Sequence, residues 1–412
     1  MSTSTEATEP GAIVVELFGE AGRADPYPLY RRLHALGPVS EVSRGFYVAN
    51  GYAEVNAVLR NPAFGKHDGL VEPGTEAARH SSLTSLSQGL LDLNPPDHTR
   101  ARRLLSAVFT PRRAAGLAPA IAATTDALLD AMAEAGAGGR AVDFMDAFAF
   151  RLPVSVICEL LGVPEADRYR FRPLAHDLSA VLEVFEDLSG LGPADAATDE
   201  LAAYFTALVA ERRADPREDL ISALIHETDA EEARLSEEEL LSNLALLLVA
   251  GFETTTNLIG NGLAILFERP ELAAALRAGS LAPADFVEEV LRYDTAVQLT
   301  SRTALTGGLE LAGQPVPRGA DVLLLLGAAN RDPARFRDPE RFDPARPDNQ
   351  PLSFGAGAHY CLGAALARLE AVTAFPRLLD RFPHLAPAEE AARIRSDRLV
   401  LRGYRTLPVT VG

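Results

Sequence analysis

The feature that most constrains the fold is one long helix that is apolar on every side in its middle. Ser236 is a plausible N-cap, because three glutamates follow it and acidic residues favour a first helical turn. The helical pattern continues to about Arg269-Pro270, which predicts a helix over residues 236–268. Its centre, Leu244–Phe252, has no polar face. Such a helix must run through the core, surrounded by other elements, rather than lie on a surface.

Composition and charge restrict the class of protein. Length alone predicts roughly two to three domains, and 47% hydrophobic with 23% charged residues is typical of a globular chain. The formal net charge of −18 argues against nucleic-acid binding as the main task, because phosphates require a surplus of Lys and Arg. No apolar run reaches the roughly 18 residues that a membrane-spanning helix needs. The polar segment Met1–Pro10 is expected to be a disordered tail rather than a signal peptide or anchor, so we expect a soluble cytoplasmic protein.

Helical patterns dominate residues 97–268, including a helix predicted at 165–190. Short β-like runs occur at 39–42 and 46–49, where a hairpin is expected, and again in the last third of the chain. Residues 61–96 are rich in Gly, Ser, Pro and Asn and are predicted to form a long loop, of a length that is usually functional or disordered. These patterns predict a mainly α fold with a small β region. No Gly-x-Gly-x-x-Gly or phosphate-loop motif is visible, so the chain shows no flavin, nicotinamide or nucleotide domain of its own.

Two cysteines, Cys158 and Cys361, exclude a disulfide scaffold and a four-cysteine metal site. Cys361 follows a glycine-rich turn and stands at the start of a helix, where free backbone N–H groups favour a thiolate. Nearby glycines allow the backbone to approach a flat partner closely. A thiolate held in this way suits ligation of haem iron. The residue alone leaves a buried structural cysteine as the alternative.

The segment Phe354–Gly363 favours the haem ligand over the structural cysteine. It resembles, at every signature position, the haem-thiolate loop Phe-x-x-Gly-x-His/Arg-x-Cys-x-Gly of the cytochrome P-450 family. The resemblance implies one triangular domain over residues 11–412, mainly α, with haem b between the long central helix and the helix that follows the cysteine loop. It implies Cys361 as the axial iron ligand, with Gly363 beside the cofactor, and leaves Cys158 as an ordinary core residue.

The segment Ala250–Thr255 places a glycine, an acid and an alcohol in the apolar centre of the long helix. Threonine can donate to the carbonyl four residues earlier and bend a helix, which would open a space for water. A helix defect with satisfied polar groups is the alternative. The stretch resembles the family motif Ala/Gly-Gly-x-Asp/Glu-Thr. The resemblance implies that Thr254 organises proton delivery to dioxygen, that Glu253 relays the protons, and that Ala250 borders the cofactor.

Four basic residues are candidates for holding carboxylates. His98 and Arg102 are four residues apart and share one helical face, for which a solvated basic face is the alternative. The resemblance implies that these two, together with Arg302 and His359, bind the haem propionates. Arginine suits this role because its guanidinium donates a forked pair of hydrogen bonds.

The pair Glu289 and Arg292 fits the family's Glu-x-x-Arg motif, and three residues apart on a helix places both on one face. An exposed ion pair, worth about 0–1 kcal/mol, is the alternative. The resemblance adds Arg341 as a third partner and implies that this triad fixes the coil leading to the cysteine loop.

Charge is distributed unevenly along the chain. Residues 98–113 contain five arginines and no acid, whereas residues 183–239 contain 17 acids and four arginines. Exposed members of the basic segment suit an acidic electron carrier, although internal pairing is the alternative. The acidic segment is expected to be a solvated helical face. The resemblance implies that a ferredoxin and its reductase supply the electrons.

The resemblance therefore implies a monomeric enzyme that activates dioxygen and hydroxylates or epoxidises a mid-sized lipophilic substrate such as a polyketide, macrolide, terpenoid or steroid. The substrate pocket is expected from the following parts of the chain: residues 61–94, 174–193, Asn243, Leu246, Leu247, Ala250, 297–300 and Leu399-Val400. Two alternatives stay open: a peroxide-driven or oxidative-coupling haem-thiolate enzyme, and a haem-thiolate binding protein without turnover. The Glu253-Thr254 pair argues against the first, because peroxide-driven enzymes can dispense with a proton relay.

Overall fold

The computed structural model describes residues 9–67, 71–183, 187–230, 235–388 and 391–412. Its helices are α1 (Glu9–Phe18), α2 (Glu20–Ala24), α3 (Tyr27–Leu36), α4 (Tyr52–Arg60), α5 (Ser81–Gln88), α6 (Asp97–Val108), α7 (Pro111–Gly116), α8 (Ala118–Ala135), α9 (Arg151–Leu161), α10 (Phe171–Leu178), α11 (Gly192–Ala214), α12 (Leu220–Ala230), α13 (Glu237–Glu268), α14 (Pro270–Arg277), α15 (Pro283–Tyr293), α16 (Leu326–Ala329) and α17 (Ala364–Arg381).

The strands are short. They are β1 (Val39–Ser43), β2 (Phe46–Ala49), β3 (Phe64–Gly65), β4 (Val142–Asp143), β5 (Thr300–Ala304), β6 (Leu309–Leu311), β7 (Gln314–Val316), β8 (Asp321–Leu324), β9 (Ala386–Pro387), β10 (Ile394–Arg395), β11 (Tyr404–Thr406) and β12 (Pro408–Thr410). The predominance of helices over these short strands confirms the predicted mainly α fold with a small β region.

The chain divides into two compact units. Unit 1 comprises residues up to His67 together with 285–361 and 395–403, and unit 2 comprises the remainder. The single domain expected over residues 11–412 stays a prediction. The expected tail over residues 1–10 falls largely outside the described residues, and Glu9 and Pro10 already belong to α1. Among the described residues, no helix is both long and apolar enough to cross a membrane.

Unit 1 is built on a five-stranded sheet in the order β1-β2-β8-β5-β3. The expected hairpin is confirmed: β1 pairs antiparallel with β2, and Gly45 supplies the positive φ of 77° that its turn requires. Strand β2 continues the sheet by pairing parallel with β8. Two buried apolar clusters, one around Val322 and Leu324 and the other around Tyr30 and Leu33, form the core of this unit.

Unit 2 is organised around α13, which confirms the long central helix. Ser236 caps it in a reciprocal capping box, because the Ser236 hydroxyl accepts from the backbone N–H of Glu239 and the Glu239 carboxylate accepts from the backbone N–H of Ser236. Helix α9 packs closely against α13. A Cβ atom on Gly251 would lie 2.7 Å from Ile157, so this contact requires glycine. The mid-helix glycine is therefore explained by close helix packing.

Two predicted segments differ from the structure. The continuous helix predicted at 165–190 is wrong, because it is broken into a 3-10 turn at Glu165–Arg170, helix α10 and a second 3-10 turn at Ser179–Leu182. Pro173 explains the first break, since a proline is tolerated in a first helical turn but not inside a helix. The long loop predicted at 61–96 contains a regular helix, α5.

Candidate functional site

The cysteine loop lies in unit 1 as far as Cys361 and is shaped by glycines. Gly355 and Gly357 have φ values of 67° and 68°, a conformation that favours glycine. A Cβ atom on Gly357 would lie 2.1 Å from the carbonyl oxygen of Leu59, so no other residue fits there. The backbone N–H of Cys361 donates to the carbonyl of Phe354 over 2.9 Å and closes the loop. The backbone at Cys361 is thereby held in place.

The two cysteines have different environments, and neither is part of a disulfide. Cys158 is completely buried in α9, and burial raises the pKa of its thiol to about 12. It cannot become a thiolate at neutral pH, which confirms it as an ordinary core residue. Cys361 is partly exposed and comes three residues before α17 begins. Of the two, only Cys361 is placed to bind a metal as a thiolate.

A buried ion pair lies behind the cysteine loop. Glu289 and Arg292 are both completely buried, with Arg292 Nη2 2.7 Å from Glu289 Oε1 and Arg292 Nε 2.8 Å from Glu289 Oε2. Arg292 also donates to the backbone carbonyls of Asn330, Pro339 and Arg341. All five N–H donors of its guanidinium are therefore used. This arrangement confirms that the pair fixes the coil that leads to the cysteine loop.

The predicted third partner of the pair is wrong in its chemistry. Arg341 contributes its backbone carbonyl, whereas the guanidinium that approaches Glu289 belongs to Arg346, at 3.7 Å. Glu289 also accepts from the backbone N–H of Asp343 and from the Asn349 side chain. Sequence spacing could not separate two arginines in one coil. The Glu-x-x-Arg motif nevertheless indicated correctly that Glu289 and Arg292 pair and fix this coil.

The anchoring continues along the chain towards the cysteine. The Asn330 side chain donates to Ser353 Oγ and accepts from the backbone N–H of Leu352. Ser353 Oγ in turn donates to the carbonyl of Leu291 over 2.6 Å. Helix α15 therefore holds the chain up to the residue before Phe354. The cysteine loop starts from a fixed point.

The middle of α13 is unusual for a core helix. Ala250 is exposed, and Glu253 and Thr254 are partly exposed. The residues on either side, Val249 and Thr255, are buried. Thr254 Oγ1 donates to the carbonyl of Ala250 over 3.1 Å, which confirms the bond to the fourth preceding residue. An acid and an alcohol thus stand next to each other at an accessible point of an otherwise buried helix. This is the composition that a proton-delivery site requires.

The four propionate candidates are distributed over both units. In unit 2, His98 is buried and Arg102 is half-buried one turn further along α6. In unit 1, Arg302 is 4% exposed on β5 and donates to the carbonyl of Ser301, and His359 is half-buried in the cysteine loop. A buried cation is stabilised by an anionic partner, and a buried N–H donor by a hydrogen-bond acceptor. Their chemistry suits the two carboxylates of a haem.

A small, partly open pocket lies within unit 2, between α5, α10 and α13. Its 410 Å³ of space that atoms do not fill includes open solvent at its mouth. It is lined by Ser82, Ser85, Leu86, Gly89, Leu178, Ser179, Val181, Leu182, Ser242, Ala245, Leu246 and Val249. None of these described residues is charged. The lining agrees with the expected segments 61–94 and 174–193 and with Leu246.

Three of the expected pocket residues on α13 are not in this lining, namely Asn243, Leu247 and Ala250. Asn243 is instead completely buried, where its side chain accepts from the backbone N–H of Leu90 over 2.9 Å and donates to the carbonyl of Glu239 over 2.7 Å. Its role is to tie the chain after α5 to α13. Helical spacing indicated the right side of α13 but not which residues meet the cavity.

The basic segment is only partly available to a partner. Arg100 pairs with Glu239 and Asp97, so the alternative of internal pairing holds for it. Arg103, Arg112 and Arg113 are exposed on α6 and α7. The exposed arginines form a basic surface defined by these three residues.

Two charged groups of unit 2 were missed by sequence reasoning. Asp195, in the first turn of α11, binds the start of α5, as described below. Glu370 is buried in α17, where desolvation raises the pKa of its carboxyl well above the usual range. Neither lies in a recognisable motif. Only the fold reveals their contacts and their burial.

Taken separately, the residues of each unit fit a haem. Unit 1 supplies a partly exposed thiol held by glycines, with Arg302 and His359 as donors for carboxylates. Unit 2 supplies further donors on α6 and an accessible stretch in the middle of α13. A soft thiolate ligand combined with donors for carboxylates is the donor set that iron protoporphyrin requires.

Comparison with known proteins gives a consistent result. The family model for cytochrome P450 matches residues 63–280 and 284–406. The cytochrome P450 monooxygenase PikC of Streptomyces venezuelae is 39% identical over 99% of this chain and 97% of its own length. The 6-deoxyerythronolide B hydroxylase of Saccharopolyspora erythraea is 36% identical over 96% of this chain and 98% of its own.

Solved structures agree with these relatives. The crystal structure of P450BioI in complex with hexadec-9Z-enoic acid ligated acyl carrier protein has a TM-score of 0.86 at 36% identity, covering 94% of this chain and 98% of its own. Ligand-free CYP164A2 of Mycobacterium smegmatis has a TM-score of 0.85 at 39% identity, covering 97% of this chain and 100% of its own.

Proposed function

Because this chain belongs to the cytochrome P450 family of haem-thiolate monooxygenases, we propose that it hydroxylates or epoxidises a mid-sized lipophilic molecule in the tailoring of a secondary metabolite. The observation that carries the proposal is the accessible pair Glu253 and Thr254 on α13, in a chain that also keeps an intact cysteine loop. The name of one relative, a 6-deoxyerythronolide B hydroxylase, supports hydroxylation as the reaction. The proposed substrate class is a polyketide, macrolide, terpenoid or steroid.

The proposed cofactor is haem b, with Cys361 as the iron ligand. When bound, the haem supplies the redox and dioxygen chemistry. The helix that follows the cysteine favours its thiolate. Arg302, His359, His98 and Arg102 would donate hydrogen bonds to its propionates. Gly363 and Ala250 would let the backbone approach the flat ring, since neither carries a side chain larger than a methyl group.

The proposed role of Glu253 and Thr254 is to move protons. Glu253 takes protons from solvent, because its carboxylate is partly exposed. Thr254 holds a proton at Oγ1 for delivery, with the carbonyl of Ala250 orienting the hydroxyl. A correctly placed acid contributes about 10²–10⁴-fold to a rate. The protein thus controls when protons reach the reacting oxygen.

Replacing Thr254 by alanine is expected to uncouple electron use from product formation. Product formed per NADPH consumed should fall by about tenfold or more, with hydrogen peroxide accounting for the difference, because the proton donor is lost. The measurement is simultaneous assay of product, peroxide and NADPH. Thr255→Val is the matched control, since Thr255 is 2% exposed on the same helix. Equal coupling in the Thr254→Ala variant and the native protein would refute the relay.

The proposed substrate is uncharged over the part that enters the cavity. The described lining is apolar apart from serine hydroxyls and presents no group that would pair with an ion. Burying an unpaired charge there would be costly. A neutral lipophile with hydroxyl or carbonyl groups meets both the apolar walls and the serines.

The function is tested by screening neutral macrolides, polyketide lactones, terpenoids and steroids for the haem spectral shift caused by substrate binding. Compounds that bind are then incubated with ferredoxin, reductase, NADPH and ¹⁸O₂. The expected result is a product that carries one ¹⁸O atom. Turnover with hydrogen peroxide alone, without label from ¹⁸O₂, would favour the peroxide-driven alternative. Binding without any turnover would favour the non-catalytic alternative.

The electron donor is proposed to be a ferredoxin, reduced by a separate reductase. The exposed basic surface of Arg103, Arg112 and Arg113 supports this proposal, because it is a positive region in a chain with a net charge of −18. Opposite charges accelerate the encounter of two proteins. The same negative total charge supports a cytoplasmic monomer that does not bind nucleic acid or membranes.

Reversing the charges of Arg112 and Arg113 together to glutamate is expected to raise the KM for ferredoxin by roughly tenfold at low salt and to reduce its salt dependence. The spectral shift on substrate binding should not change. Arg213→Glu is the control, since Arg213 is exposed on α11 within the acidic segment. An equal KM in the double variant and the native protein would contradict docking at this surface.

A further inference from the structure

Helix α5 forms part of the wall of the cavity but does not cap its own start. The residue before it, His80, makes no capping side-chain bond, so the N–H groups of its first turn need other acceptors. Ser82, Ser85 and Leu86 of this helix line the cavity. The position of the wall therefore depends on whatever holds the first turn of α5.

The acceptor is Asp195 of α11, more than a hundred residues further along the chain. Its Oδ1 accepts from the backbone N–H of Ser82 over 3.0 Å and from the Ser82 hydroxyl over 2.5 Å. This is the bond that an N-cap side chain normally makes to its own helix. Asp195 thus acts as an N-cap supplied by a different helix.

The second carboxylate oxygen of Asp195 is also used. Nδ1 of His80 lies 2.7 Å from Oδ2, and it must donate because an ionised carboxylate can only accept. Ser81 Oγ adds a bond to the backbone carbonyl of Asp195. Burial alone would raise the pKa of Asp195, but the hydrogen bonds from Ser82 and His80 outweigh it and lower the pKa. Asp195 is therefore ionised at neutral pH.

Apolar packing places Asp195 at this position. Its neighbour Ala194 is 1% exposed and packs in a small buried cluster with Leu83 of α5, Val181 and Leu191. The cluster includes Leu178, Leu182 and Leu86 at its edge, and these three also line the cavity. The Asp195 contacts, the cluster and the cavity wall are therefore continuous.

The two ends of α5 are held differently. At its C-terminal end, the completely buried Asn243 accepts from the backbone N–H of Leu90. At its N-terminal end, the His80 and Asp195 side chains are 18% and 23% exposed, so water competes for their bonds. The N-terminal end is the one that a change of a single side chain can release.

We propose that Asp195 is a positioning residue for substrate binding, which fixes the first turn of α5 so that Ser82, Ser85 and Leu86 present a preformed wall to the substrate. The proposal rests on the proposed function only in taking the cavity as the substrate site. Loss of the carboxylate leaves the first turn of α5 without an acceptor and allows it to fray. A ligand must then order this turn when it binds, which weakens binding without altering the reacting groups.

The first test measures the helix itself and needs no haem. In the Asp195→Ala variant, amide hydrogen exchange in a peptide covering residues 81–88 is expected to accelerate by roughly tenfold, the effect of losing an N-cap. Exchange in α13 should not change. Asp199→Ala is the matched control, because Asp199 is exposed one turn further along α11. Equal exchange in the Asp195→Ala variant and the native protein would overturn the proposal.

The second test measures ligand binding in the haem-loaded protein by the shift of the Soret band. The probe is econazole, a bulky lipophilic azole, and imidazole is the small comparison ligand without hydrocarbon bulk. Asp195→Ala is expected to raise the Kd for econazole on the order of tenfold and to leave that for imidazole within about twofold. Asp195→Asn keeps an oxygen acceptor for Ser82 and should recover most of the affinity. An unchanged Kd for econazole, or an equal loss for both azoles, would overturn the proposal.

The outcomes separate this proposal from the proposed function. Absence of any azole shift in the native protein would refute the haem assignment, while hydrogen exchange would still test the hold of Asp195 on α5. If Asp195→Ala fails to fold, His80→Ala removes one of the carboxylate contacts and is expected to give a smaller change of the same kind in both measurements. No change in the His80→Ala variant, in either hydrogen exchange or econazole binding, would then overturn the proposal.

Discussion

Replacing Cys361 by serine is expected to abolish the red-shifted Soret band of the reduced, carbon monoxide-bound protein and all turnover with it. The band reports thiolate ligation of haem iron, and a serine hydroxyl is a poor ligand for iron at neutral pH. The substitution is nearly isosteric, and the loop keeps its glycines and its backbone bond from Cys361 to Phe354. The measurement is a difference spectrum of reduced protein with and without carbon monoxide.

Cys158→Ser is the matched control for this experiment. Cys158 is completely buried in α9, so the new hydroxyl is expected to cost about 1–3 kcal/mol of stability while leaving the band intact. The two variants are therefore expected to differ. Cys361→Ser loses the band and keeps its stability, whereas Cys158→Ser keeps the band and loses stability. Retention of the band in Cys361→Ser, or its loss in a folded Cys158→Ser protein, would remove Cys361 as the ligand.

Replacing Glu289 by glutamine is expected to destabilise the protein by about 3–5 kcal/mol, because it leaves the buried Arg292 charge without its carboxylate. The same change should reduce the fraction of protein that retains haem. The coil after Asn330 is held through Arg292 and Glu289, and the cysteine loop follows that coil directly. The measurements are the free energy of unfolding in urea and the yield of the carbon monoxide band per mole of protein.

An exposed ion pair with a similar N–O distance provides the control. Arg377 and Asp126 approach to 2.7 Å in unit 2, but their side chains are 41% and 55% exposed. Asp126→Asn makes the same acid-to-amide change and is expected to cost only about 0–1 kcal/mol. A similar loss of stability in the Glu289→Gln and Asp126→Asn variants would refute the claim that burial makes the Glu289–Arg292 pair important for stability.

Sequence patterns predicted the parts of this molecule that depend on local chemistry. The capping box at Ser236, the hairpin around Gly45 and the identity of Cys158 as a core residue were all recoverable, because each depends on neighbouring residues or on a simple periodicity. The glycines of the cysteine loop are likewise required by local φ values. The roles of Glu253, Thr254 and the propionate candidates stay predictions.

What sequence reasoning missed depends on contacts between distant segments. Helix α5 looked like a loop because its serines, threonine and glutamine are moderate helix formers and its cap is Asp195, in another helix. The family resemblance indicated Arg341, and only the fold shows that the guanidinium facing Glu289 is that of Arg346. A residue whose partner is far away in sequence carries no local signal.

The glycines of α13 also limit how this enzyme could acquire new substrates. A methyl group on Gly251, Gly260 or Gly262 would collide with Ile157, Met145 or Phe375 respectively, at 2.4–2.7 Å. The stretch of α13 between residues 251 and 262 is therefore closely packed, and larger side chains at these three glycines require the facing side chains to move. Changes of specificity are therefore expected in the opposite wall of the cavity, where α5 and the 3-10 turn Ser179–Leu182 are short. A mutational library for altered specificity should sample those two segments and leave these glycines of α13 unchanged.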